Sequence, residues 1–436
     1  MNVYLLPTYM CAHTFILHCK GMNVCACVNI YGMSFSPSST QGGSSCTCLT
    51  VQHMRMLLLV SMIDRCASPS SYVFLLHFFF GMVAPATAAN QQQQQGCCQV
   101  GFFHKLQRRV AAVDSLLCVG LDPHAAELSL PPAAADPATA ASVGAAAAYS
   151  FCERIIKESL PYVCCYKPNS AFFEAFGSAG IQALERLCKI IPSDIPIILD
   201  VKRGDIGSTA EAYASAAFSV LQVDAVTVSP YLGRDSLLPF LKYKNKGVFV
   251  LVKTSNASAD ELQALQVVGR SSSSGSGGSS SSEEQPRQQQ QPEPLFLHVA
   301  ALCNEMAAAC VREEHSRGSC ASAAAAAGEK TNFFAHNEQG GGVGLVAGAL
   351  DTHALKTIRA ACPDLWILSP GVGAQGADLQ QALAAGLRHD GSGLIIPVSR
   401  GISRAKNVAA EAASLRDKIN EARRLVCQGW SSTTGN

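Results

Sequence analysis

The chain has 436 residues and a formal net charge of +1. With no basic run it carries no electrostatic footprint for nucleic acid. Hydrophobic residues make up 48% and charged residues 15%, which fits a globular protein with a large core, although alanine-rich tracts inflate the first figure. That length accommodates two or three average domains, or one large barrel with extensions.

Residues 1–100 form the first region. They show no sustained helical or strand period, and Asp64 is their only acid. Nine of the 19 cysteines lie in the first 98 residues, including Cys25-Ala26-Cys27 and Cys46-Thr47-Cys48. These pairs lack a matching second pair at zinc spacing, so they do not argue for a metal. Val73 to Val83 is mostly apolar but too short to span a bilayer. Small residues follow it, as in a signal-type segment, yet it lies far from Met1; a start at Met62 would put it in place. Low acid and abundant serine also suit an organelle transit peptide. The glutamine run Gln91 to Gln95 cannot build a core and marks the boundary. The expectation is a disordered or targeting extension over 1–100, a folded body over 101–430 and a short tail over 431–436. The remaining cysteines show no metal-ligand pattern, and Cys118 and Cys164-Cys165 sit inside apolar runs, where buried thiols are ordinary. A disulfide framework belongs to small secreted scaffolds. The body therefore reads as intracellular, with the cytoplasm favoured and a plastid or mitochondrial address left open by the extension.

From Phe102 the pattern becomes regular. A helix-like segment, Phe102 to Val113, precedes eight apolar runs that each end in polar or glycine residues. They are Leu116 to Pro123, Val163 to Asn169, Pro196 to Lys202, Ala225 to Tyr231, Gly247 to Ser255, Val343 to Leu350, Leu365 to Val372 and Gly393 to Arg400. Helical segments lie between them: Val143 to Glu158, Phe172 to Ile190, Ser208 to Leu221, Leu295 to Arg312, Asp351 to Ala361 and Ala377 to Gly386. Near-continuous apolar strands alternating with helices predict a parallel sheet covered by helices, and the count of eight favours a closed (β/α)8 TIM barrel over an open sheet. The first strand–helix turn also lacks the glycine fingerprint of a dinucleotide site. Two low-complexity insertions interrupt the rhythm, 271–294 after the fifth strand and 315–342 before the sixth. In a barrel the first leaves from the catalytic side, whereas the second follows a helix and belongs to the opposite face.

Chemistry in such a barrel sits at the C-terminal ends of strands. The third run ends in Asp200-Val201-Lys202-Arg203-Gly204-Asp205, and strand alternation puts Asp200 and Lys202 on one side. Asp205 lies past the strand, where Ser208-Thr209-Ala210-Glu211 has the form of a capping box. Other strand ends carry Asp122, Lys167 with Asn169, Ser229 with Tyr231, Lys253 with Thr254-Ser255, Ser369-Pro370-Gly371 and Ser399-Arg400-Gly401. Carboxylates on both sides of Lys202 favour its charged form, which suits a proton donor better than a Schiff base. Gly371-x-Gly373-x-x-Gly376 and Arg400, at strands seven and eight, occupy the usual phosphate position of this fold. No His or Cys pattern at the strand ends points to a metal or a nucleophilic triad.

Asp200-x-Lys202-x-x-Asp205-Ile-Gly-x-Thr209 resembles the signature of orotidine 5′-phosphate decarboxylases. Leu121-Asp122-Pro123, Ser-Pro-Gly and Ser-Arg-Gly-Ile are similar to that family too. Tyr166-Lys167-Pro168-Asn169, Val252-Lys253-Thr254-Ser255-Asn256 and Pro370 to Gly376 resemble its longer-chain subgroup, and the match runs in order from about Phe102 to Arg424. The resemblance implies conversion of orotidine 5′-phosphate to UMP and CO2, the last step of de novo UMP synthesis, without metal or organic cofactor. It implies a charged array of Lys167, Asp200 and Lys202, with Asp205 and Thr209 presented to a neighbouring subunit in a homodimer. It also implies ribose contacts from Asp122 and Lys167, a pyrimidine contact from Ser255, and a phosphate grip from Gln375 and Arg400. No nucleic-acid or membrane partner is expected. The alternatives are a metal-dependent sugar-phosphate decarboxylase or synthase of related architecture, and a non-catalytic barrel scaffold. Residues 1–100 contain no acidic-pair phosphoribosyl-diphosphate loop, so a fused orotate phosphoribosyltransferase is not expected.

Overall fold

The computed structural model describes residues 2–5, 15–19, 22–24, 101–128, 136–268, 291–316, 341–372 and 376–433. The cysteine pairs Cys25-Ala26-Cys27 and Cys46-Thr47-Cys48, the apolar segment 73–83, the glutamine run, most of both insertions and Gln375 lie outside the described residues. The chain divides into two units, Met1–Gly96 and Cys97–Asn436. In the first, Asn2–Leu5, Phe15–Cys19 and Met22–Val24 pair as an antiparallel sheet. Strands of three to five residues are too short to leave a readable period in the sequence.

The second unit is built on eight strands: β1 (Leu117–Leu121), β2 (Cys165–Pro168), β3 (Ile198–Arg203), β4 (Ala225–Val228), β5 (Gly247–Lys253), β6 (Gly342–Ala347), β7 (Ile367–Leu368) and β8 (Leu394–Val398). Their order is β2-β1-β8-β7-β6-β5-β4-β3, with every neighbouring pair parallel. Parallel bridges Tyr166–Ile197 and Asn169–Asp200 join β2 to β3, and the Tyr166 N–H donates to the Pro196 carbonyl at 3.0 Å. The ring is therefore closed, as the eight apolar runs predicted. Almost every strand residue is buried, because helices cover the sheet from outside and side chains fill it from within.

The covering helices are α1 (Phe102–Val113), α2 (Pro137–Ser159), α3 (Gly177–Ile190), α4 (Gly207–Ser215), α5 (Leu238–Leu241), α6 (Leu295–Ser316), α7 (Thr352–Ala361), α8 (Leu379–Gly386) and α9 (Val408–Thr433). Asp136, Asp351 and Asp378 cap α2, α7 and α8, each accepting the N–H of the residue three positions on, which satisfies an orphan donor of the first turn. The capping box expected at Ser208–Glu211 does not form. α4 already starts at Gly207, whose φ of +54° turns the chain one residue earlier, and no side chain caps it.

α1 plugs the N-terminal end of the barrel. Buried Phe102 and Phe103 meet edge to face at 4.9 Å, and both pack on Phe249 of β5 at 5.7 and 6.0 Å. At the same end, buried Arg359 of α7 donates to the carbonyls of Cys362, Pro363, Leu365, Gly386 and Gly393. The root of the first insertion is held by a short antiparallel ladder, Gln266–Val267 with Glu293–Pro294. The second rejoins the barrel at Gly342, whose N–H bonds to Lys246 O at the start of β5.

Candidate active site

The C-terminal end of β3 does not finish as a regular strand. Leu199 pairs with Val226 and Arg203 with Val228, so three residues of β3 stand against Thr227 alone. The extra length is taken up at Lys202, whose φ of +45° lies in the left-handed region. That conformation costs a non-glycine residue roughly 1–2 kcal/mol, and bulges of this kind re-aim side chains beside active sites. Thr227 holds the bulge together. Its Oγ1 accepts the N–H groups of Val201 at 3.1 Å and Lys202 at 3.0 Å, and its hydroxyl donates to Asp200 Oδ1 at 2.8 Å. Simple strand alternation thus predicted the right partners by a route the chain does not take.

Asp200 is the hub. Lys167, arriving from β2, donates to its Oδ2 at 2.8 Å, and Lys202 donates to Oδ1 at 2.6 Å. The side chains of Lys167 and Asp200 are only 9% and 10% exposed, whereas that of Lys202 is 51% exposed. Burial alone pushes the Asp200 carboxyl up, but the ammonium groups of Lys167 and Lys202 and their hydrogen bonds hold it well below the usual carboxylate range. For Lys167, burial favours the neutral amine, and the carboxylates of Asp200 and Asp122 more than reverse this, so the net direction is upward. The array therefore has a fixed carboxylate, a buried cation that secures it, and a half-exposed cation able to reach a ligand.

A second group of polar side chains lies at the ends of β1, β7 and β8. The Ser399 hydroxyl donates to Asp122 Oδ2 at 2.5 Å, and Asp122 Oδ1 is buried without a partner among the described residues. Ser369 Oγ, at the end of β7, is likewise buried and has no partner among the described residues. Arg400 follows Ser399 and is exposed at the start of a short helix, Arg400–Ser403. The loop after β7 turns at Gly371 and Gly376, with φ of +121° and +84°, values that glycine adopts without strain.

The model of the orotidine 5′-phosphate decarboxylase / HUMPS family matches residues 115–309. An orotidine 5′-phosphate decarboxylase of Roseiflexus castenholzii is 41% identical over 337 residues, covering 75% of this chain and 100% of the relative. The chain belongs to this family. A crystal structure from Toxoplasma gondii superposes with a TM-score of 0.63 at 52% identity, covering 76% of this chain and 99% of that one. The Leishmania donovani OMP decarboxylase structure gives 0.54 at 38% identity, covering 74% and 99%.

Within this decarboxylase-family barrel, most of the residues singled out from sequence occupy the C-terminal end. Lys167, Asp200 and Lys202 are joined directly, and Asp122 lies close enough to act on the charge of Lys167. Ser255 sits against the end of β6, where a Cβ on Gly348 would lie 3.1 Å from its own Cβ. Asp205 and Thr209 are not joined to the array. Asp205 accepts the N–H of Ile206 at 2.8 Å, and Thr209 is exposed on α4. Gln375 is outside the described residues. Two collected strand-end residues turn out to anchor the scaffold. Asn169 caps the helix Ser170–Glu174, and buried Lys253 pairs with Asp260 at 2.9 Å. Thr227 was missed, and the available signal was a hydroxyl in the otherwise apolar run Ala225-Val226-Thr227-Val228.

Proposed function

We propose that this chain decarboxylates orotidine 5′-phosphate to UMP and CO2, with Lys202 as the proton donor. The observation that carries the assignment of roles is the Lys167–Asp200–Lys202 array at the open end of the barrel. Departure of CO2 leaves an electron pair on the ring carbon C6. An ammonium facing that carbon stabilises the charge and then transfers its proton, forming the C–H bond of UMP. Asp200 accepts one N–H of Lys202 and fixes where the ammonium points. A carboxylate so near the substrate's own carboxylate also destabilises the bound ground state. At about 4 Å and an effective dielectric of about 20, the repulsion is roughly 4 kcal/mol. Arg400 and the β7 loop supply a phosphate grip remote from the reacting carbon, and binding energy there serves orientation.

The same reading includes a homodimer with shared sites. Asp205 and Thr209 sit on the rim beyond β3, and the exposed apolar side chains Ile206, Tyr231 and Leu232 lie on the neighbouring β3 and β4 loops. Such a rim suits a second copy of the chain that receives Asp205 in its own site. Free buried thiols at Cys118, Cys164 and Cys165 support a reducing, intracellular location; mass spectrometry of the mature N-terminus tests whether the extension is removed on the way to an organelle.

The functional test is direct. The purified full chain is expected to consume orotidine 5′-phosphate, followed by its ultraviolet absorbance, at a rate unaffected by a chelator. A folded protein that leaves the nucleotide intact would overturn the reading, and a rate abolished by the chelator would favour the metal-dependent alternative.

A further inference from the structure

The bond between Ser399 and Asp122 connects the last barrel strand to the first, across the seam of the sheet. Among the described residues it is the one hydrogen bond that the Asp122 carboxylate receives, since Oδ1 has no partner. A half-buried carboxylate held by one donor takes its orientation from that donor, because no second bond opposes rotation about its side-chain torsions.

β1 is shaped to allow this contact. At Gly120, which pairs with Lys167 across the ladder, an added Cβ would lie 1.9 Å from Ser399 Oγ and 3.3 Å from Asp122 Oδ2. Any other residue there would displace the serine hydroxyl from the carboxylate. Gly120 has no positive φ to explain it, so the close approach of Ser399 is the physical reason for glycine at this position. Ser399 is also the residue before Arg400, so one short segment of backbone carries both the donor to Asp122 and the cation of the phosphate grip.

We propose that Ser399 is a positioning residue which, through the space left by Gly120, orients the Asp122 carboxylate toward the ribose hydroxyls of the bound nucleotide. The inference rests on the decarboxylase reading, in which Asp122 and Lys167 meet the ribose. Ser399 itself does not touch the reacting carbon. Its effect falls on how tightly the sugar is held and on how well ribose placement is matched to phosphate placement.

The test compares binding of UMP with binding of 2′,3′-dideoxyuridine 5′-monophosphate, which lacks both hydroxyls, by calorimetry on the full-length protein. Wild type is expected to bind UMP more tightly than the dideoxy nucleotide. Ser399→Ala is expected to weaken UMP about tenfold, the scale of losing a hydrogen bond to a charged group, and to leave the dideoxy nucleotide unchanged. Gly120→Ala, made on a different strand, is expected to produce the same selective loss; should it fail to fold, Ser399→Ala alone decides. Equal weakening of both nucleotides would mean that the bond only holds the seam together, and unchanged binding of both would mean that it orients nothing; either result overturns the proposal. A wild-type protein that binds neither nucleotide overturns the decarboxylase reading with it, an outcome visible before any variant is made.

Discussion

The two ends of the barrel both bury positive charge, and they treat it in opposite ways. At the N-terminal end, the Arg359 guanidinium is buried and donates to five backbone carbonyls. The donors there are matched to acceptors of the same chain. At the C-terminal end, Lys202 is half exposed on a left-handed bulge, and Asp122 Oδ1 and Ser369 Oγ are buried without partners among the described residues. Asp205 points to no member of its own array. Satisfied polar groups rigidify a structure, and unsatisfied ones at a strained position mark a place where something else is to bind. Among the described residues, buried unpartnered oxygens occur near α1 as well, at Gln107 Oε1 and Asn420 Oδ1, so what sets the open end apart is its half-exposed cation on a strained bulge.

Substitutions at each end should separate stability from activity. The largest effect is expected for Lys202→Ala, which should lower kcat by about 10⁴-fold while leaving the thermal midpoint close to that of wild type, because the side chain is half exposed. A melt that collapses together with the rate would make Lys202 a structural residue. Arg359→Met should do the reverse. Stranding several buried carbonyls should cost about 3–5 kcal/mol of stability, with kcat of the remaining folded enzyme unchanged. Chemical denaturation and active-site-normalised turnover measure the two quantities.

Lys167→Met belongs to the open end but is buried, so it should affect both. Its contribution depends on pH in a defined direction. The folded-state pKa of Asp200 lies below its unfolded value, which is near about 3.9. The stabilisation is therefore complete above that pH and disappears as the pH falls through the folded value. The stability gap between wild type and Lys167→Met, about 3 kcal/mol near neutrality, should close in acid. A gap that widens in acid would contradict the assignment. Thr227→Val should have the smallest effect of the series, about 1–3 kcal/mol, from leaving the Val201 and Lys202 N–H groups unpaired. A loss of kcat beyond the loss of stability would show that the bulge aims Lys202.

The barrel was legible because buried parallel strands write continuous apolar runs, and eight of them appeared in order. Asp122, Lys167, Asp200, Lys202 and Arg400 were legible as charges at the ends of those runs. What could not be read was local and three-dimensional. The bulge at Lys202 depends on how many residues of β3 oppose Thr227, and no periodicity encodes that. Thr227 and Lys253 look like members of apolar or charged strand ends until their partners, Asp200 and Asp260, are in place. The contact between Gly120 and Ser399 joins residues far apart in sequence. The capping box at Ser208 failed because a glycine one position earlier had already turned the chain.

The proposal that a second copy of the chain completes the open end has a direct test in mixed dimers of Lys202→Ala and Asp205→Ala subunits. Each variant alone is expected to be inactive. After random mixing in equal amounts, half the dimers are heterodimers, each with one site containing an intact Lys202 and the neighbour's intact Asp205, so about one quarter of wild-type activity should return. Recovery near that level supports a site shared between two copies. A mixture that stays as inactive as its components, with heterodimers confirmed by native mass spectrometry, would contradict it.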